Sequence, residues 1–121
     1  MGLVAAAAAG CGGSDQSHQV RSTFQTLVND LSNRNPAACS LFTKRYALEN
    51  TGQSSYSVAL AKCRSRVRSG AVTVPNGLRV AKVKVKGNAA TLKASAPGQG
   101  TGLFHFLKQN NQWKIDMVTS R

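Results

Sequence analysis

Acid–base, nucleophilic or metal chemistry has little to draw on in this chain: His18 and His105, three aspartates and one glutamate, and Cys11, Cys39 and Cys63. The most suggestive pair is His105 with Asp116. The segments GLFHFLKQ and QWKIDMVT read as two strands turning at Asn110-Asn111. That turn sets Gln109 opposite Gln112, and hence His105 opposite Asp116, Leu103 opposite Val118 and Leu107 opposite Lys114. A carboxylate that fixes one imidazole nitrogen leaves the other free as a base. The opposite face of the hairpin carries Phe104, Phe106, Ile115 and Met117. It is the more apolar side and the expected core, and His105 and Asp116 are then a solvated cross-strand pair. Two other readings stay open, a catalytic dyad and the polar lining of a noncatalytic pocket. Trp113, Phe104 and Phe106 are expected to fill the core. His18 has no partner at ligand spacing, so neither a metal nor a cofactor is expected. With no Ser-His-Asp order, phosphate-cradling glycine loop or carboxylate pair, the inventory argues against hydrolases and metalloenzymes.

The cysteines take their meaning from the N-terminus. Leu3 to Gly10 (LVAAAAAG) is an apolar run followed by Cys11 and the polar GGSDQS. A bilayer span needs about 20 residues, so residues 1–10 read as the hydrophobic part of a cleaved secretory signal. Met1 and Gly2 supply no Lys or Arg and the run is short, so the true translation start is expected upstream. The residues AAGC at Ala8 to Cys11 resemble the lipobox of bacterial lipoproteins, whose cysteine is acylated and becomes the first mature residue. The resemblance implies a lipidated Cys11, a flexible tether over 11–18 and a lipid anchor at the extracytoplasmic face of the cell membrane. Outside the cytoplasm thiols pair, so Cys39 and Cys63 read as one disulfide, with buried free cysteines as the alternative. Closing that loop contributes about 3 kcal/mol in the chain-entropy picture.

Sixteen Lys and Arg against four Asp and Glu give a net charge of +12, which speaks to partners rather than to fold. The cations cluster at Lys62, Arg64, Arg66 and Arg68, and again at Lys82, Lys84, Lys86 and Lys93. Neither cluster is interleaved with aromatics, so nucleic acid is not the expected partner. A lipid-anchored chain meets anionic headgroups or acidic wall polymers first, and each Lys or Arg near a headgroup layer contributes about 1 kcal/mol. The alternative is a basic face that serves only solubility.

These residues need elements to position them. From Asp15 to Asn33, Val20, Phe24, Leu27, Val28 and Leu31 recur at helical spacing, which predicts an amphipathic first helix. Asn35-Pro36 is a helix start signal, and a short second helix, PAACSLFTKRYAL, follows with Cys39 and Phe42. After ENTGQSS, Ser57 to Val67 predicts a third helix with Leu60, Cys63 and Val67 on one face. Beyond Ser69-Gly70 the period becomes 2: Ala81, Val83 and Val85 alternate with Lys82, Lys84 and Lys86, and Ala90, Leu92 and Ala94 follow after a Gly87-Asn88 turn. With Lys86 opposite Ala89, Val83 faces Leu92, Val85 faces Ala90, and Lys82 faces Lys93 on the solvated side. The glycine-rich PGQGTG is expected to break the sheet before the second hairpin.

At 121 residues the chain has room for one core, and three helices before about four antiparallel strands predict an α+β domain over 19–121, helices packed on one face of a curved antiparallel sheet. This order is similar to the cone of the nuclear transport factor 2-like superfamily. In particular it resembles small secreted bacterial lipoproteins of that fold, on the lipobox, NPAACSLF, AKCRSRV and the terminal Trp113-Lys114-Ile115. The resemblance implies a cone that binds a small apolar ligand or an envelope protein partner without catalysis. Its alternative is an isomerase or dehydratase using His105 and Asp116 inside the cone.

Overall fold

In the computed structural model residues 2–120 are described, with side chains from Asp15 onward. The leader over 1–10 and Cys11 lie outside the residues whose side chains are described. Helix α1, Gly2–Ser32, buries Val20, Phe24 and Leu27, with Val28 and Leu31 packed beside them. These are the positions that helical spacing places on one stripe.

The predicted second helix is two elements. Asn35 caps a 3-10 helix, Pro36–Leu41, by accepting from the Ala37 N–H at 3.0 Å, with Pro36 in the first turn. The chain then extends through Phe42 before α2, Lys44–Thr51. The break is centred on Thr43. Thr43 takes the N-cap role, its hydroxyl accepting from the Tyr46 N–H at 3.1 Å, while its own N–H donates to the Ile115 carbonyl at 2.9 Å. Phe42 thereby bridges to Ile115 on the last strand. Helix α3, Tyr56–Ser69, ends at Gly70, whose φ of 79° is left-handed. A disulfide joins Cys39 on the 3-10 helix to Cys63 on α3, with Cα atoms 6.0 Å apart. It pins α3 to the 3-10 helix, as the pairing predicted for these two cysteines requires.

Strands β1 (Arg79–Lys86), β2 (Ala89–Ala96), β3 (Gly100–Gln109) and β4 (Gln112–Ser120) form one antiparallel sheet in sequence order. The first hairpin has the expected register, Lys86 with Ala89, Val85 with Ala90, Val83 with Leu92 and Lys82 with Lys93. Its turn places Gly87 at φ 62°, as a tight hairpin requires. Ala81 departs from the expectation. A bulge between Val80 and Lys82 turns Val80 toward the core and leaves Ala81 exposed.

PGQGTG does not break the sheet either. Pro97, Gly98 and Gln99 form a three-residue turn, Gln99 N–H donating to the Ala96 carbonyl at 3.0 Å, and β2 pairs with β3 from Ala96 and Gly100 onward. The helices pack against this sheet as an α+β domain. Ala90, Leu92, Phe106, Trp113 and Ile115 meet Val20, Phe24 and Leu27 in the core, and Phe24 stacks edge-on against Phe104 with centroids 4.8 Å apart.

Candidate functional site

The second hairpin keeps its expected register near the turn, Gln109 with Gln112, Leu107 with Lys114 and Phe106 with Ile115. Asn110 and Asn111 sit at φ 52° and 64°, the two positive values of a type I′ turn. Beyond Phe106 a bulge leaves Asp116 with no residue opposite. His105 therefore pairs with Met117 and Leu103 with Thr119, not with Asp116 and Val118. The bulge also shifts Met117 off the core face, where it was expected; it is 40% exposed.

The free edge of β4 explains the extra residue. Thr43 and Arg45 come alongside it, and the Thr43 hydroxyl donates to Asp116 Oδ1 at 2.7 Å. Arg45 donates to Oδ2 and to the Asp116 carbonyl, and also pairs with Glu49 at 3.2 Å. Burial disfavours the charge on Asp116, but hydrogen bonds from Arg45 and Thr43 and the charges of Arg45 and His105 outweigh it and hold its carboxyl below the usual carboxylate range. The same contacts raise Arg45, with the Asp116 hydrogen bond first among the causes. His105 lies 3.3 Å from the Thr119 hydroxyl through Nε2. The carboxylate thus fastens the 42–45 segment to the sheet edge and does not orient His105.

The cation clusters divide between two places. Lys82, Lys84, Lys86 and Lys93 share the sheet face turned away from the helices, beside Thr91, Leu103, His105 and Leu107. On α3, Lys62, Arg64 and Arg68 are exposed. Arg66 differs: it is half-buried and lines a cavity.

That cavity, about 870 Å³, lies between α1, α3, the 71–78 segment and the far end of the sheet. Its origin is a taper in side-chain size along the inner sheet face. Near the hairpin turns the inward positions hold Leu92, Phe106, Trp113 and Ile115, which fill the space under α1. At the other end the pairs are Ala94 with Gly102 and Ala96 with Gly100, too small to reach the helix. Leu27, Val28 and Leu31 of α1 face that hollow, with Leu78 and Phe104. Exposed Val72 among the lining residues brings the cavity to the surface. Among the described residues the lining includes no Asp, Glu, His or Lys, and neither His105 nor Asp116 borders it. Its volume is within the range of about 300–1,000 Å³ common for small-molecule sites.

Sequence reasoning passed over three residues that organise these features. Thr43 carried a signal, a capping residue type ahead of a helical segment. Arg45 carried none. Gln16, assigned to the tether, lies on α1, where its Oε1 accepts from Trp113 Nε1 at 3.1 Å and from Lys108 Nζ at 3.3 Å. His18 lines a smaller hollow of about 480 Å³ with Asn111 and Trp113, and no group of three metal-ligating side chains occurs among the described residues. No helix among them is long and apolar enough to cross a membrane. Comparison of the chain with protein-family models, curated proteins and solved structures gives no match.

Proposed function

We propose that this chain is a lipoprotein anchored through Cys11 to the extracytoplasmic face of the cell membrane, built on a nuclear transport factor 2-like cone, and that its cavity binds a small apolar ligand without catalysis. The observation that carries the binding reading is the apolar hollow of about 870 Å³ under the second half of α1. General acid–base catalysis needs a titratable group inside the site. His105 and Asp116 stand outside the lining, and this favours binding over the isomerase or dehydratase alternative. The AAGC at Ala8 to Cys11 supports the anchor, and the Cys39–Cys63 disulfide suits an oxidising compartment. The lysines of the outer sheet face are then free to meet anionic headgroups or wall polymers.

Two measurements test the reading. A fluorescent apolar probe titrated into the full chain should saturate at one per molecule, and Ala96→Leu, which adds bulk inside the hollow, should weaken it. Nonsaturable binding, or binding indifferent to Ala96→Leu, overturns the cavity site. Cys11→Ala should move the protein from the membrane to the soluble fraction at high salt; retention there overturns the anchor.

A further inference from the structure

We infer that the ligand of this cavity is an amphipathic anion, a single long acyl chain ending in one carboxylate or phosphate, and that Arg66 binds its head. The inference rests on the reading of the hollow as a ligand site and names the chemistry that the site selects. Arg66 is the one residue bearing a formal charge among the described lining residues. It is half-buried on the last turn of α3, beside Cys63 and Val67; the other half-buried cations among the described residues, Lys93, Lys108 and Lys114, lie outside the cavity.

Among the described residues it has no internal counter-ion. The chain holds four side-chain carboxylates, Asp15, Asp30, Glu49 and Asp116. Arg45 takes the last two, and no ion pair or side-chain hydrogen bond reaches the Arg66 guanidinium among the described residues. A guanidinium at the edge of an apolar cavity interacts with an anion more strongly than one in water, because the surroundings screen it less, and its fork matches carboxylate and phosphate oxygens.

Neutral donors stand on the neighbouring helix. Tyr46 and Asn50, one helical turn apart on α2, also line the cavity. Burial raises the Tyr46 pKa and so keeps its phenol a donor. The wall made by Phe24, Leu27, Val28, Leu31 and Phe104 suits a hydrocarbon chain, and the other polar lining residues, Thr73, Ser95, Gln99, Thr101, Thr119 and Ser120, are neutral. A wholly apolar ligand would leave Arg66 facing it unpaired, at a desolvation cost that an anionic head removes.

The test is calorimetric titration of the full chain, below the aggregation threshold of each probe, with oleate, oleoyl lysophosphatidate and the neutral monooleoylglycerol. At least one anion should bind tenfold to a hundredfold more tightly than monooleoylglycerol, the span of one charge-assisted bidentate contact. Which anion prevails tells a fatty-acid head from a phosphate head. Arg66→Ala and Arg66→Gln should remove that preference while leaving monooleoylglycerol binding in place, Arg66→Lys should restore part of it, and Arg68→Ala on the exposed side should not change it. Raising the salt from 0.15 to 0.5 M, which screens the general attraction to a chain of charge +12, should leave most of the preference.

Equal affinity for all three probes, or a preference that survives Arg66→Ala and Arg66→Gln, overturns this inference and leaves the cavity site standing. Failure of all three to bind overturns the cavity reading itself.

Discussion

Removing Asp116 should loosen the segment that closes the free edge of β4, and the cost can be worked from its contacts. The Thr43 hydroxyl, on a residue 2% exposed, donates to a charged acceptor at 2.7 Å. Such a bond contributes about 1.5–3 kcal/mol. The Arg45 pair contributes less, because the arginine side chain is 48% exposed and water screens it. Asp116→Ala should therefore destabilise by about 2 kcal/mol at pH 7, a fall of about 10 °C in melting temperature for a domain of this size. Asp116→Asn keeps an acceptor for Thr43 and should cost less.

The pH dependence separates this cause from a packing defect. The folded pKa of Asp116 lies below its unfolded value of about 3.9. Its stabilisation is thus fully present above the unfolded value and is lost as pH falls through the folded one. The difference between wild type and Asp116→Ala should be constant from pH 7 to 5 and shrink below about pH 4. Urea unfolding followed by Trp113 fluorescence at pH 7, 5, 4 and 3 measures it. A loss under about 0.5 kcal/mol at pH 7, or a difference unchanged at pH 3, would refute the assignment.

Three further outcomes follow from the contacts. The Cys39–Cys63 bridge closes a loop with a sequence separation of 24 and contributes about 3.5 kcal/mol by the chain-entropy relation, so reduction should lower the melting temperature by more than about 10 °C. An intact mass showing two free thiols at these positions would contradict the bridge. Gln16→Leu removes the acceptor of Trp113 Nε1 and should cost about 1–3 kcal/mol with a shift in tryptophan emission, and an unchanged urea midpoint would show that the bond contributes nothing. Ala96→Leu should stabilise the fold, by up to about 2 kcal/mol for three added carbons, while it weakens ligand binding. Destabilisation with unaltered binding would show that the space under α1 is already filled.

How far the sequence carried the fold depends on where periodicity holds. Helix α1 was legible because its stripe from Val20 to Leu31 obeys one period over three turns and has no competing contact. The first hairpin was legible from Gly87-Asn88 outward, until the bulge at Ala81. A period of 2 presumes one residue opposite one, and each bulge breaks that rule locally. At Asp116 the break decided the chemistry, because one inserted position separates a His–Asp pair into two groups with different partners. Its cause lies some 70 residues away in the chain, in Thr43 and Arg45. Short-range patterns carry no such information. The split of the second helix has the same origin: PAACSLFTKRYAL has adequate helical propensity throughout, and the bond from Thr43 N–H to Ile115 overrides it.

The cavity was present in the sequence as a list of residue sizes, which hydropathy does not read. Alternation assigns Ala90, Leu92, Ala94 and Ala96 equally to an inner face, yet Leu92 is the one large side chain among them. Ala90 stands beside Phe106, whereas Ala94 stands beside Gly102 and Ala96 beside Gly100. Two small residues side by side on adjacent strands lower the floor of the sheet. α1 is continuous to Ser32 and cannot follow that floor down, and the disulfide holds α3 against the 3-10 helix. The space therefore stays open because its walls are fixed independently of it. Glycine and alanine in the second half of the sheet shape the hollow as much as the leucines of α1 line it.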